Sequence, residues 1–196
     1  MWLAVLGPLQ ACQGNVPLAI PGGKQRVILA TLIMRAGETV SYDELAEVVW
    51  DGRPPESARV TIRNYVKRLR RCLGDEAAAL IATRYPGYLL QAGENEVDAL
   101  AFARGCRDGA AAARSGDWEG AFGLHGQALA LWRGLPLHDV PSDQLQAEHG
   151  PRLERLRLLA VEERMEAGLQ LGRHRQLLAE LRDVAAAEPL RERVQG

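Results

Sequence analysis

The sequence has little of what marks a catalytic or extracellular protein. Aromatic residues make up 5% of its 196 positions, and its 3 cysteines, Cys12, Cys72 and Cys106, are widely spaced with no CxxC pair. An odd, scattered set excludes a disulfide framework and a zinc ribbon, and predicts a reduced chain with buried thiols. The histidines, His125, His138, His149 and His174, form no HxxxH or HExxH pair, and no GxSxG turn occurs. The segment PGGKQ lacks the first glycine of a phosphate-binding loop, having Leu18 there, and Gln25 follows Lys24 where Ser or Thr is required. Lys24 and Arg26 are expected to flank a helix start, within reach of phosphate. No enzyme, cofactor or metal is expected. Long apolar runs are also missing. The start, MWLAVLGPLQ, has six apolar residues before Gly7-Pro8 and no basic residue ahead of them. That is too short for a signal peptide or a membrane span, so a cytoplasmic location without membrane contact is expected.

What is present is a composition that can fold, with 47% hydrophobic residues and a net charge of -1. The length suits two domains of about 100 residues each. Near-neutrality excludes a globally basic coat for nucleic acid but not a local patch. Residues 1–96 hold 11 Lys/Arg against 10 Asp/Glu, and residues 59–71 alone carry six of those eleven. The stretch VTIRNYVKRLRRCLG, residues 60–74, has five Lys/Arg and no acid.

Periodicity divides the chain. Residues 1–20 alternate short β-type runs with turn residues, as in a small antiparallel sheet. A helical pattern with Val27, Ile28, Leu32 and Ile33 on one face follows Gly23 and stops at Gly37. Ser41-Tyr42-Asp43-Glu44 is a capping-box sequence that starts a second helix. Pro54-Pro55 breaks it, and Ser57 is the expected N-cap of a third helix that runs to Gly74. LIATRYPGYLLQ, residues 80–91, then reads as a hairpin about a type II turn at Tyr85-Pro86-Gly87. Beyond Val97 the pattern is wholly helical. GDWEGAFGLHGQAL (116–129) and GRHRQLLAELRDVA (172–185) suggest a TPR-like helical-hairpin repeat, with WRGLPLHDVPSDQ as a linker between copies and a long helix over ERLRLLAVEERMEAGLQLGRH.

At about 100° per residue, Ile62, Val66, Leu69 and Leu73 fall on one arc of the third helix, with Tyr65 and Cys72 at its margin. Arg59, Thr61, Arg63, Asn64, Lys67, Arg68, Arg70 and Arg71 cover the other side. A solvated helix face ordinarily interleaves Glu with Lys or Arg, because i,i+4 pairs stabilise and like charges repel. This face has no acid of its own. It offers guanidinium forks for phosphate or guanine, an amide for adenine, and Val60 as an apolar contact for a thymine methyl. The hairpin would bring Thr83, Arg84 and Tyr85 beside it, like the wing of a winged helix.

Through these segments the chain resembles the SARP family of transcriptional activators. The N-terminal sheet, the run from GGKQRVILA to RRCLG, and IATRYPGYLL are similar to its winged helix. LWRGLPL, the long helix and EPLRERV are similar to its bacterial transcriptional activation domain. The resemblance implies a mainly α fold with a small β component: a winged helix-turn-helix over residues 1–96 and an all-α, TPR-like domain over residues 97–196. EPLRERVQG falls inside that domain, so its helical repeats are expected to be incomplete. It further implies that Arg59, Thr61, Arg63, Asn64, Lys67, Arg68 and Arg71 face the major groove of double-stranded DNA, with Arg84 and Tyr85 in the wing. Homodimers on direct repeats near a promoter, recruitment of RNA polymerase holoenzyme by the loop containing Asp51, Arg53 and Glu56, and control of antibiotic biosynthesis genes are implied with it. The alternative is a TPR-like protein-interaction scaffold with an accessory N-terminal domain. The uncompensated cationic arc speaks against that, because protein-binding surfaces are usually built on apolar or aromatic anchors.

Overall fold

The computed structural model describes residues 1–174 and 177. It opens with an antiparallel sheet of β1 (Trp2–Ala4), β2 (Gln10–Gln13) and β3 (Val16–Pro17), in which Leu3 faces Ala11 and Cys12 faces Pro17. Helix α1 (Gly23–Met34) follows. The sequence predicts one apolar face for it, but every residue from Val27 to Ile33 is buried. A helix apolar on all sides belongs at the centre of its layer. Here α2 (Tyr42–Val49) and α3 (Ala58–Leu73) both pack on α1.

Between α1 and α2 the chain makes a strand that the sequence does not announce, β4 (Thr39–Ser41). It joins the hairpin of β5 (Ile81–Arg84) and β6 (Gly87–Leu90) in the order β4-β6-β5. Gly87 makes this possible. A Cβ there would lie 1.8 Å from the Val40 carbonyl oxygen and 2.7 Å from Ser41 Cα, so only glycine admits the close approach. The hairpin loop itself is Tyr85-Pro86, joined by a cis bond. The expected type II turn is therefore replaced by a turn with cis-proline at its third position, and Gly87 serves the strand rather than the bend. A short helix, α4 (Asp75–Leu80), also unannounced, links α3 to β5.

The remaining described elements are helical: α5 (Asp98–Arg114), α6 (Trp118–Leu129) and α7 (Asp143–Gln170). α5 and α6 form a helical hairpin, and α7 packs along α6. α7 begins at Asp143 and runs through Pro151, well ahead of the expected Glu154, because Ser142 caps it by accepting from the Leu145 N–H at 3.3 Å. The first expected repeat copy falls on α6; the second lies for the most part outside the described residues.

The stretch expected to be a linker, residues 132–144, is instead a strap. The Arg133 N–H donates to the Leu6 carbonyl (2.8 Å) and the Leu137 N–H to that of Gly7 (3.1 Å). Asp139 accepts from the Leu9 N–H (2.8 Å) and pairs with Arg26. Leu137, Val140 and Leu145 are buried in one core with Val5, Ile28 and Val49. At the start of α5, buried Asp98 accepts from the N–H groups of Val5 and Leu6, each at 2.9 Å, and Arg133 lies 3.4 Å away. Burial pushes the Asp98 carboxyl above the usual carboxylate range, and those donors pull against it.

The cysteines are free and half-buried rather than fully buried as expected. His125 and His149 are buried packing residues, while His138 and His174 are exposed. Among the described residues no group of three His, Cys, Asp or Glu side chains could hold a metal, and no helix is long and apolar enough to cross a membrane.

Candidate nucleic-acid interface

α3 has the expected phase. Ala58, Ile62, Val66, Leu69 and Leu73 are buried, Tyr65 and Cys72 are half-buried, and Val60 remains 60% exposed. Ser57 holds the N-cap position but its side chain makes no cap bond; its carbonyl oxygen instead accepts from the N–H and the hydroxyl of Thr61. Arg59, Arg63, Asn64, Lys67, Arg68 and Arg71 are all exposed, and Thr61 is half-buried.

The cations on the side facing α2 and the hairpin are held. Arg59, whose face looks acid-free along α3 alone, forks onto Asp43 of α2, with Nε 3.1 Å from Oδ1 and Nη2 2.9 Å from Oδ2. Arg63 stands over the Tyr42 ring, 5.2 Å from its centroid. Arg70 lies over Tyr88 at 5.5 Å and donates to the Ile81 carbonyl (3.1 Å) and the Thr83 hydroxyl (3.0 Å). Arg70 is thus a fastener between helix and hairpin, not an outward cation.

Asn64, Lys67, Arg68 and Arg71 have no such anchors: none has a polar or ring partner among the described residues. Arg68 and Arg71 line an open cleft of ≈ 380 Å³ with Pro21, Gly22, Gln25 and Cys72. Lys24 and Arg26, expected near phosphate, are turned elsewhere. Lys24 Nζ donates to the Val49 carbonyl and sits 5.7 Å from the Trp50 ring, and Arg26 is committed to Asp139.

The hairpin tip presents Thr83, Arg84 and Tyr85 to solvent, and Tyr85 is 97% exposed. A smaller cleft of ≈ 180 Å³ separates tip from helix, lined by Tyr42, Arg59, Arg63, Thr83, Tyr85 and Pro86. α2 enters this cleft with its capping box intact. Ser41 Oγ accepts from the Glu44 N–H, and Glu44 accepts from the Ser41 N–H. The Arg35 guanidinium, helped by Ser41, holds the Glu44 carboxyl down at about 2. In the loop between α2 and α3, Arg53 and Glu56 are exposed with no side-chain partner among the described residues. Asp51 is engaged, accepting from the Ser142 hydroxyl (3.0 Å) and the Gln144 N–H (3.4 Å).

Reasoning from the sequence misses Tyr42, Asp43 and Tyr88 as parts of this surface. Tyr42 and Asp43 are visible only as the first turn of a helix, and what brings them to α3 is tertiary packing.

Family models match both parts of the chain: the C-terminal domain of transcriptional regulatory proteins over residues 21–90, and the bacterial transcriptional activator domain over residues 97–196. The regulatory protein DnrI of Streptomyces peucetius is 35% identical over 98% of this chain and 74% of its own length. The chain belongs to the SARP family of transcriptional activators. Another member, the regulatory protein AfsR of Streptomyces griseus, is 35% identical over 97% of this chain, which spans 19% of AfsR. The solved structure of Mycobacterium tuberculosis EmbR in complex with a low-affinity phosphopeptide is similar throughout, with a TM-score of 0.88 at 32% identity over 97% of this chain and 51% of that one. The SARP architecture of winged helix followed by helical activator domain is thereby the fold of this chain.

Proposed function

We propose that this chain activates transcription by binding specific DNA sequences, with α3 in the major groove and the wing on the flanking backbone. The observation that carries the reading is the run of unanchored groups, Asn64, Lys67, Arg68 and Arg71, on a helix whose other side is locked into the core. Arg59, Thr61 and Arg63 complete the helix surface, and Arg84 and Tyr85 supply the wing. Affinity comes from phosphate neutralisation, so binding weakens steeply as salt rises, and base choice rests on Arg63 and Asn64. In this reading residues 1–96 carry DNA recognition and residues 97–196 carry activation, in the cytoplasm and without catalysis. Homodimers on direct repeats, and contact of Arg53, Glu56 and the loop around Asp51 with RNA polymerase holoenzyme, are the finer parts of the proposal. Control of antibiotic biosynthesis genes, the target class that the family resemblance implies, belongs with these finer parts.

Selection of binding sites from random DNA, followed by gel shifts on the best site and on unselected DNA, tests it. Asn64→Ala should lose discrimination between the two, while Arg84→Ala should weaken both alike. A wild-type chain that prefers no sequence at any salt concentration would sink the reading in favour of the interaction scaffold.

A further inference from the structure

Arg63 and Tyr42 belong to different helices, yet the structure treats them as one unit. Tyr42 is the first residue of α2, and three constraints act on it. Its N–H donates to the Pro86 carbonyl at the wing turn (3.0 Å). Its ring meets Tyr88 of β6 edge-on, with centroids 5.4 Å apart at 79°. Its free face receives the Arg63 guanidinium at 5.2 Å. Tyr88 is itself buried and carries Arg70 on its other contact, so the series Arg63, Tyr42, Tyr88, Arg70 runs from recognition helix to wing and back. Burial, with Tyr42 beside it, pushes the Tyr88 phenol up to about 12, so the Tyr88 ring stays neutral and electron-rich over the physiological range.

A long exposed arginine ordinarily samples many rotamers, and ordering it on binding DNA costs free energy. A guanidinium already seated on a fixed ring loses less. We infer that Tyr42 is a specificity-determining positioning residue: it fixes Arg63 at the mouth of the cleft between α3 and the wing, so that Arg63 meets DNA in one geometry. This rests on the DNA-binding reading above. The ring, not the hydroxyl, performs this role, because a cation is attracted by the negative face of the π system.

The test uses the full chain, the selected site and random DNA. Tyr42→Leu should reduce the ratio of selected-site to random-DNA affinity by about 3- to 30-fold, the range of a cation–π contact. Affinity for random DNA should stay within about twofold, as it would if phosphate contacts carry it. Tyr42→Phe should keep the wild-type ratio. Combining Tyr42→Leu with Arg63→Ala should be no worse than Arg63→Ala alone, since the ring then has nothing to position. Arg63→Lys, an exposed change that leaves the fold untouched, keeps the charge but loses the flat stacking surface, and should reproduce the Tyr42→Leu loss. Full discrimination by Tyr42→Leu or Arg63→Lys, equal weakening on both DNAs, or additive losses in the double variant would overturn the inference. Failure of the wild-type chain to discriminate at all would instead overturn the underlying reading.

Discussion

The two flanks of α3 carry the same residue type and use it in opposite ways. Toward the wing, Arg59, Arg63 and Arg70 each have an internal partner, in Asp43, Tyr42 and Tyr88 respectively. On the outer and opposite flank, Lys67, Arg68 and Arg71 have none among the described residues. A guanidinium that already has a partner is fixed in place and in direction; one without a partner is free to follow a phosphate wherever it lies. In the proposed reading, the cations of one flank meet DNA in a fixed direction while those of the other supply bulk attraction, with Asn64 reading bases between them. Net charge alone cannot tell them apart.

The largest break in that contrast is expected from Gly87→Ala. Its Cβ would strike the Val40 and Ser41 backbone, so β4 cannot stay paired with β6 and the anchored flank loses its support. Thermal unfolding should show a loss of about 3–5 kcal/mol, and a loss below about 1 kcal/mol would mean that β4 moves aside freely. The next test compares neighbours. Arg70→Ala removes hydrogen bonds to Ile81 and Thr83 and should destabilise by about 1–2 kcal/mol in urea melts, leaving the salt dependence of DNA binding unchanged. Arg71→Ala should leave stability within about 0.5 kcal/mol but weaken binding to all sequences several-fold and make the salt slope shallower by about 1. Equal changes of slope in both variants would erase the distinction between the flanks. The smallest effect is expected from Asp43→Asn, which releases Arg59. Stability should change by no more than about 1 kcal/mol, because the pair is exposed. Affinity for random DNA should rise about twofold, as one more cation joins the unanchored set.

What is legible in the sequence follows from the range of the interactions. The phase of α3 and the position of the wing depend on local spacing: Ile62, Val66, Leu69 and Leu73 recur at helical intervals, and the hairpin brackets its own turn. The capping box at Ser41 and Glu44 is likewise local, and it formed as expected. β4 was hidden because three residues carry too little alternation to announce a strand, and its partner β6 lies far along the chain. Gly87 looks like a turn residue, since a glycine needed for close backbone approach is the same in sequence. The Arg59 to Asp43 fork spans 16 positions between two helices, so α3 viewed alone looked uncompensated where it is not. The strap at residues 132–144 resembles a linker in sequence because its Pro and Gly content describes a chain without regular structure, not one without contacts.

That strap has a consequence for how the protein addresses a promoter. Ser142 hydroxyl bonds at 3.0 Å to the Val48 carbonyl and to Asp51, together with Asp139 on Leu9 and Asp98 on Val5 and Leu6, pin α5 and α7 to the body that holds α3. These contacts run the length of the strap, from Arg133 on Leu6 to Ser142 on Val48. In the proposed reading, α3 entering the duplex carries the helices with it, in the arrangement those contacts hold. Displacing the binding site by about 5 bp, half a helical turn, therefore swings them to the far side of the DNA. On that reading the spacing of binding sites would be set in turns of the double helix, with this chain as the ruler.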